Sequence, residues 1–156
     1  MVYPMYGAGV IEDLEEKIID GQSHVYYVLN IPVGNLKILA SVKNAENVGI
    51  RGILTTDQLN ETMDDVRKLP VSMPDNWNQR YKENMSKIKT GNMKEVAEVY
   101  RNLKLRERER GLSSAEKKVL STAKQIILSE IILSYNVDKY IAEAILEETV
   151  LKEQEE

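Results

Sequence analysis

The sequence has no cysteine, which closes off a disulfide framework and any thiolate metal site. It has no phenylalanine and one tryptophan, so Tyr, Leu, Ile, Val and Met must fill whatever interior it builds. Its one histidine, His24, falls in a strand-like stretch, where a structural role is the ordinary reading. No apolar run approaches the roughly 18 residues needed to cross a bilayer, so no membrane partner is expected. The opening Met1-Val2-Tyr3-Pro4 lacks a basic region leading into an apolar stretch, so no secretory signal is expected and a reducing cytoplasm suits the chain. A phosphate-cradling loop is missing too: Gly7 and Gly9 lead into strand-like residues, not into a helix N-terminus. The carboxylate run Glu12, Asp13, Glu15, Glu16 has no metal-ligand spacing and reads as a solvated face, as does Asp64-Asp65. With no nucleophile, base or metal set in view, no metal, cofactor or small-molecule substrate is expected. An enzyme, such as a hydrolase built on that carboxylate run, is disfavoured.

Charge is abundant, and it is segregated. The net charge of −4 hides three blocks. Residues 1–76 carry 6 basic and 11 acidic side chains, residues 77–125 carry 13 and 6, and residues 126–156 carry 2 and 8. A polyanion responds to the local field within a Debye length of about 8–10 Å, so a basic middle is a candidate nucleic-acid surface despite the acidic total. The alternative is that these cations decorate solvated helix faces.

At 156 residues the chain suits one ordinary domain or two small ones, and its texture changes once. Val10–Leu14 and His24–Ile31 are rich in β-branched and aromatic residues, with Asp20-Gly21 between them as a hairpin signal. Gly34-Asn35 leads into a third strand through Leu36–Leu39. Short strands with tight turns predict a small, bent sheet or partly open barrel over residues 1–52. Helical periodicity takes over for residues 53–156, giving an α+β chain with a C-terminal all-α bundle. Thr56-Asp57 opens a first helix, closed before Pro70. Asp75 is the expected N-cap of a helix holding Trp77, Tyr81 and Ile88 and stopped by Gly91. Asn92 with Glu95 caps the next, which places Val96, Val99 and Leu103 on one face and ends at Gly111. Ser113 with Glu116 forms a capping box for a long helix with a stripe of Val119, Leu120, Ala123, Ile127 and Ile131. A final amphipathic helix after Asn136 carries Ile141, Ile145 and Leu146. The acidic tail Lys152–Glu156 ends the sequence.

One segment invites a sharper reading. Asn76-Trp77-Asn78-Gln79-Arg80-Tyr81-Lys82 holds the only tryptophan, at the junction where the basic block begins. A lone Trp commonly anchors a small bundle. Its neighbours here are amides and cations, which also suits a wedge that stacks on exposed bases or enters a minor groove. The residues alone leave both readings open.

Four segments stand out in order along the chain: Val2-Tyr3-Pro4-Met5-Tyr6-Gly7-Ala8-Gly9, Asn44 through Arg51, Asn76-Trp77 through Lys82, and Glu107 through Ser113 with Glu116-Lys117. Together they resemble the CarD/CdnL family of bacterial RNA polymerase-binding transcription regulators. The resemblance implies a Tudor-like RNA polymerase-interacting domain at 1–52 that docks on the polymerase β-subunit lobe, largely by edge-strand contact through Lys17, Leu36, Lys37, Ile38 and Leu39. It implies a helical DNA-binding domain at 53–156 that meets promoter DNA at the upstream edge of the bubble. Trp77 would be a minor-groove wedge that stabilises the open complex, Asn76, Arg80 and Lys82 would contact DNA beside it, and Lys117, Lys118 and Lys124 would extend the basic surface. DNA contact would be largely sequence-neutral. Family members usually carry several more residues before the Val2-Tyr3-Pro4 motif. Where some relatives place polymerase-contacting arginines this chain has Lys17 and Leu39, and where some have a basic residue beside the tryptophan it has Gln79. The competing expectation is an adaptor that binds polymerase with Trp77 buried and DNA untouched.

Overall fold

The computed structural model describes residues 1–151. The acidic tail therefore lies outside the described residues. The strands come first: β1 (Val2–Tyr3), β2 (Gly7–Ala8), β3 (Val10–Ile19), β4 (Gln22–Ile31) and β5 (Leu36–Ser41). The helices follow as α1 (Ala45–Val48), α2 (Thr56–Lys68), α3 (Trp77–Lys89), α4 (Met93–Arg110), α5 (Ser114–Tyr135) and α6 (Lys139–Val150).

The long strands form an antiparallel meander in the order β3-β4-β5. Asp20 and Gly21 turn the first hairpin with φ of 51° and 75°, the left-handed pair that matches strand twist. The register slips between Ile11 and Asp13, so Glu12 is an extra residue that bends β3. β1 and β2 form a separate two-stranded pair, and Val2 also bridges to Arg51. The pairing of these two short strands is not expected from composition or periodicity, nor is the single-turn helix α1 that Gly49 ends in the left-handed region.

The core proper lies in the bundle. Val96, Val99 and Leu103 of α4 meet Leu59, Met63 and Val66 of α2 and the stripe Val119, Leu120, Ala123, Ile127 and Ile131 of α5, all buried. The caps explain where the helices start. Thr55 and Gln58 exchange both bonds of a full capping box, worth about 1 kcal/mol, and Asn92 accepts from the Lys94 and Glu95 amides. Two expectations are corrected. The cap of α3 is Asn76, whose side chain accepts from the Gln79 amide, so Asp75 lies one residue outside. On α6 the buried face is Ala142, Leu146 and Val150, and Ile141 points to solvent.

The N-terminal segment is bolted to α5. The Ala8 amide donates to Ser129 Oγ at 2.8 Å, inside the protein. Gly7 lies so close that a Cβ there would sit 2.5 Å from the same oxygen. Arg51 makes a two-pronged ion pair with the fully buried Glu130, at 2.9 and 2.6 Å, and the Leu54 amide donates to that carboxylate at 2.8 Å. The motif that opens the sequence and the one that closes its β region thus converge on consecutive residues of α5. β3 is exposed along its whole length, and the outer edges of β3 and β5 carry no further strand among the described residues.

Candidate functional site

The N-terminus of α3 meets the N-terminus of α5, and Trp77 sits at that meeting. Asn76 caps α3, so the indole follows at the first helical position. The ring is 43% exposed, which removes the reading that it anchors the core and with it the premise of the buried-Trp adaptor. It stacks on Tyr81, one turn along the same helix, with centroids 5.7 Å apart and planes 17° from parallel. Its Nε1–H donates to Ser113 Oγ at 3.0 Å.

Behind the ring lies a buried ion pair. Arg80 donates from Nε and Nη2 to the two oxygens of Glu116, each at 2.9 Å, and both residues are almost fully enclosed. Arg80 Nη1 donates further to the carbonyls of Pro74 and Asp75, fixing the linker ahead of α3. The hydrogen bonds from Arg80 hold the Glu116 carboxyl below the usual carboxylate range, and the same bonds raise the guanidinium in turn. The expectation that Arg80 neutralises DNA phosphates is therefore corrected: its charge is spent inside the protein. Helical spacing carried that signal. Arg80 lies four residues from Asn84 and eight from Ile88, both buried, whereas Lys82, two residues away, falls on another face and is exposed. The capping box expected at Ser113 is half-formed. Ser113 accepts from the Glu116 amide at 3.2 Å, but the Glu116 carboxylate turns to Arg80 and to the serine hydroxyl.

The remaining candidate cations divide. Lys117 and Lys118 are exposed in the opening turns of α5. Lys118 edges a groove of about 370 Å³ formed with Met5, Tyr81 and Met85, so it lies beside the Tyr81 end of the aromatic stack. Lys124 lies 3.6 Å from Glu143, which counters part of its charge. Asn76 Oδ1 is engaged in capping. Of the residues expected to meet DNA, Asn76, Trp77, Lys82, Lys117 and Lys118 are thus exposed. Sequence reading placed Ser113 and Glu116 in the turn but missed their contact with α3, which joins residues 36 positions apart.

The residues expected to meet polymerase lie on both edges of the meander. Lys17 is on β3, opposite His24, while Leu36, Lys37, Ile38 and Leu39 are on β5. Cross-strand register puts Lys17, Lys37 and Leu39 on one face and Leu36 with Ile38 on the other. Leu36 and Leu39 are exposed, at 42% and 40%. Lys37 faces Glu12 at 3.6 Å across solvent, a contact of little energy. Among the described residues no group of His, Asp or Glu is arranged to hold a metal, and no helix is long and apolar enough to cross a membrane.

Comparison with known proteins accounts for both halves. Residues 1–54 match the CarD-like/TRCF RID domain, a Tudor-like module, and residues 61–147 match the CarD C-terminal domain. The chain is 36% identical over 137 residues to the Bacillus subtilis (strain 168) protein YdeB, named as a candidate transcription factor, an alignment spanning 84% of this chain and 86% of that one. With both models matched in order and a relative aligned across most of its length, the chain belongs to the CarD family of transcription factors and carries that family's RNA polymerase interaction domain.

Proposed function

We propose that this protein docks on the β-subunit lobe of RNA polymerase through its N-terminal sheet and holds promoter DNA open with Trp77 at the upstream edge of the bubble. The observation that carries the reading is an exposed, stacked indole at the junction of two helix N-termini, with exposed lysines on both helices. Docking uses the outer edge of β5, unpaired among the described residues, where a partner strand would pair with the backbone of Leu36–Leu39. Lys17 contributes through the sheet face it shares with Lys37 and Leu39 rather than through that edge.

The action is thermodynamic. Closed and melted promoter are in equilibrium, and a protein shifts that equilibrium only by its differential affinity for the two. An aromatic ring finds a base to stack on only where strands have separated, and such stacking is worth about 1–3 kcal/mol. Lys82, Lys117 and Lys118 add phosphate attraction without base readout. Tethering to polymerase raises the effective concentration of this weak site at one DNA position, which is how a chain of net charge −4 acts on a polyanion.

The test is Trp77→Ala. Because the ring is outside the core, the variant folds and captures polymerase normally, while open-complex half-life in a promoter-dissociation assay falls about 5- to 150-fold, the span of a lost stack. An unchanged half-life removes the wedge.

A further inference from the structure

We propose that Ser113 is a positioning residue for the Trp77 wedge: its hydroxyl, oriented by the Arg80–Glu116 pair, holds the indole at the angle in which it meets DNA. The inference rests on the wedge reading and deepens it.

A serine hydroxyl has one hydrogen to give and two lone pairs to receive with. At Ser113 all three are used. The hydrogen goes to Glu116 Oε1 at 3.2 Å, and the oxygen receives from the Glu116 amide at 3.2 Å and from the indole Nε1–H at 3.0 Å. Glu116 cannot swing away, because both its oxygens are tied to Arg80 in the interior. With Glu116 as its only acceptor among the described residues, the hydroxyl hydrogen has one place to point. The lone pair facing the ring is thereby fixed in direction as well as position. The indole has one polar atom, and that atom is anchored. Its flat side rests on Tyr81, so the ring is constrained across its plane by the stack and within its plane by the hydrogen bond.

An exposed side chain with this much support is costly to arrange and unnecessary for solubility. The value of such a mount is pre-organisation. A free indole samples several rotamers, and each one frozen on contact subtracts from affinity. A ring held in its working rotamer avoids that loss at the moment the strands part. The mount also ties the angle of the wedge to the junction of α3 and α5, so Arg80 contributes to DNA contact through Trp77 and not through phosphate.

The single tryptophan makes the test direct, since all indole fluorescence reports on this ring. Three variants of the full chain are compared: Ser113→Gly, Ser113→Thr and Trp77→Ala. Glycine is accepted at a helix N-cap at small cost, so the first removes the hydroxyl with α5 intact, and threonine keeps both the cap and the hydroxyl. In the free protein, Ser113→Gly is expected to add a fast component to the indole anisotropy decay, with unfolding midpoint and polymerase capture near the parent's. On a promoter it shortens open-complex half-life about 3- to 10-fold, less than Trp77→Ala, and Ser113→Thr restores both readouts. If the indole in Ser113→Gly stays as rigid as in the parent, the positioning role is overturned. If the ring is mobilised but half-life holds while Trp77→Ala still shortens it, the mount is irrelevant to function and the wedge stands. If Trp77→Ala itself changes nothing, the wedge has failed, and the positioning role fails with it.

Discussion

A buried guanidinium with its carboxylate is the feature on which this site most depends. Two desolvated charges gain little net stability as a pair, but removing one strands the other, at about 3–5 kcal/mol. Glu116→Gln is therefore expected to lower stability at neutral pH by an amount in that range, read by urea unfolding. Acid supplies the control. The Glu116 carboxyl is held below its ordinary range in the folded chain, so the pair's contribution is complete at neutral pH. It begins to fade as pH falls through the unfolded carboxylate range, about 4.3, and is gone below the folded value. The gap between parent and variant should close in strong acid. A gap independent of pH would mean that glutamine costs stability through shape, not charge. Tyr100, its hydroxyl pushed up to about 12 by burial, contributes no titration in this window.

At the level of elements, the sequence announced what is local and hid what is distant. Asp20-Gly21 marks its own hairpin, Asn92 and Gly111 bound their own helix, and the 3.6-residue stripe of α5 names its buried face. All of these are settled within a few residues of backbone. Asn76 and Asp75 are equally good caps on chemistry, and only the path of the linker chooses between them. Reading Arg80-Tyr81-Lys82 as one cationic cluster follows adjacency in sequence, which a helix does not respect: the 80–84–88 spacing sends Arg80 inward. The anchoring of β1 and β2 was the least legible, because Ser129 and Glu130 look like ordinary polar residues of a long helix until Ala8, Arg51 and Leu54 arrive. Gly7 tests that anchor. Its φ is +108° and a methyl group would sit 2.5 Å from Ser129 Oγ, whereas Gly21, at +75°, has open space around it. Both Gly7→Ala and Gly21→Ala incur left-handed strain of about 1–3 kcal/mol, but only Gly7→Ala must also push β2 off α5. The expected result is a larger loss of stability for Gly7→Ala and faster exchange of the Ala8 amide, measured by hydrogen exchange. Equal behaviour of the two variants would show that β2 is not tightly seated.

For the molecule as a whole, the acidic total and the basic middle are two parts of one arrangement. Flanking blocks of negative charge oppose free association with DNA, so the cations around Trp77 act chiefly where polymerase has already delivered them. Lys117 and Lys118 stand in the opening turns of α5, whose dipole is positive at that end, a placement that gives the helix no stability but raises the local potential. Each phosphate contact made to duplex contributes about 0.9 to the slope of log affinity against log salt. Replacing both lysines with alanine should therefore leave polymerase capture unchanged. The salt dependence of open-complex lifetime that this protein confers should flatten by up to about two units, equally on promoters of different sequence. Trp77→Ala should behave in the opposite way, shortening the lifetime at every salt concentration with little change in slope, because stacking releases no counterions. Lys124→Ala, already countered by Glu143, should fall short of either exposed lysine. If the double lysine variant kept the parent's slope, the basic middle would be a solvated helix face and the DNA contact would reside in the ring alone.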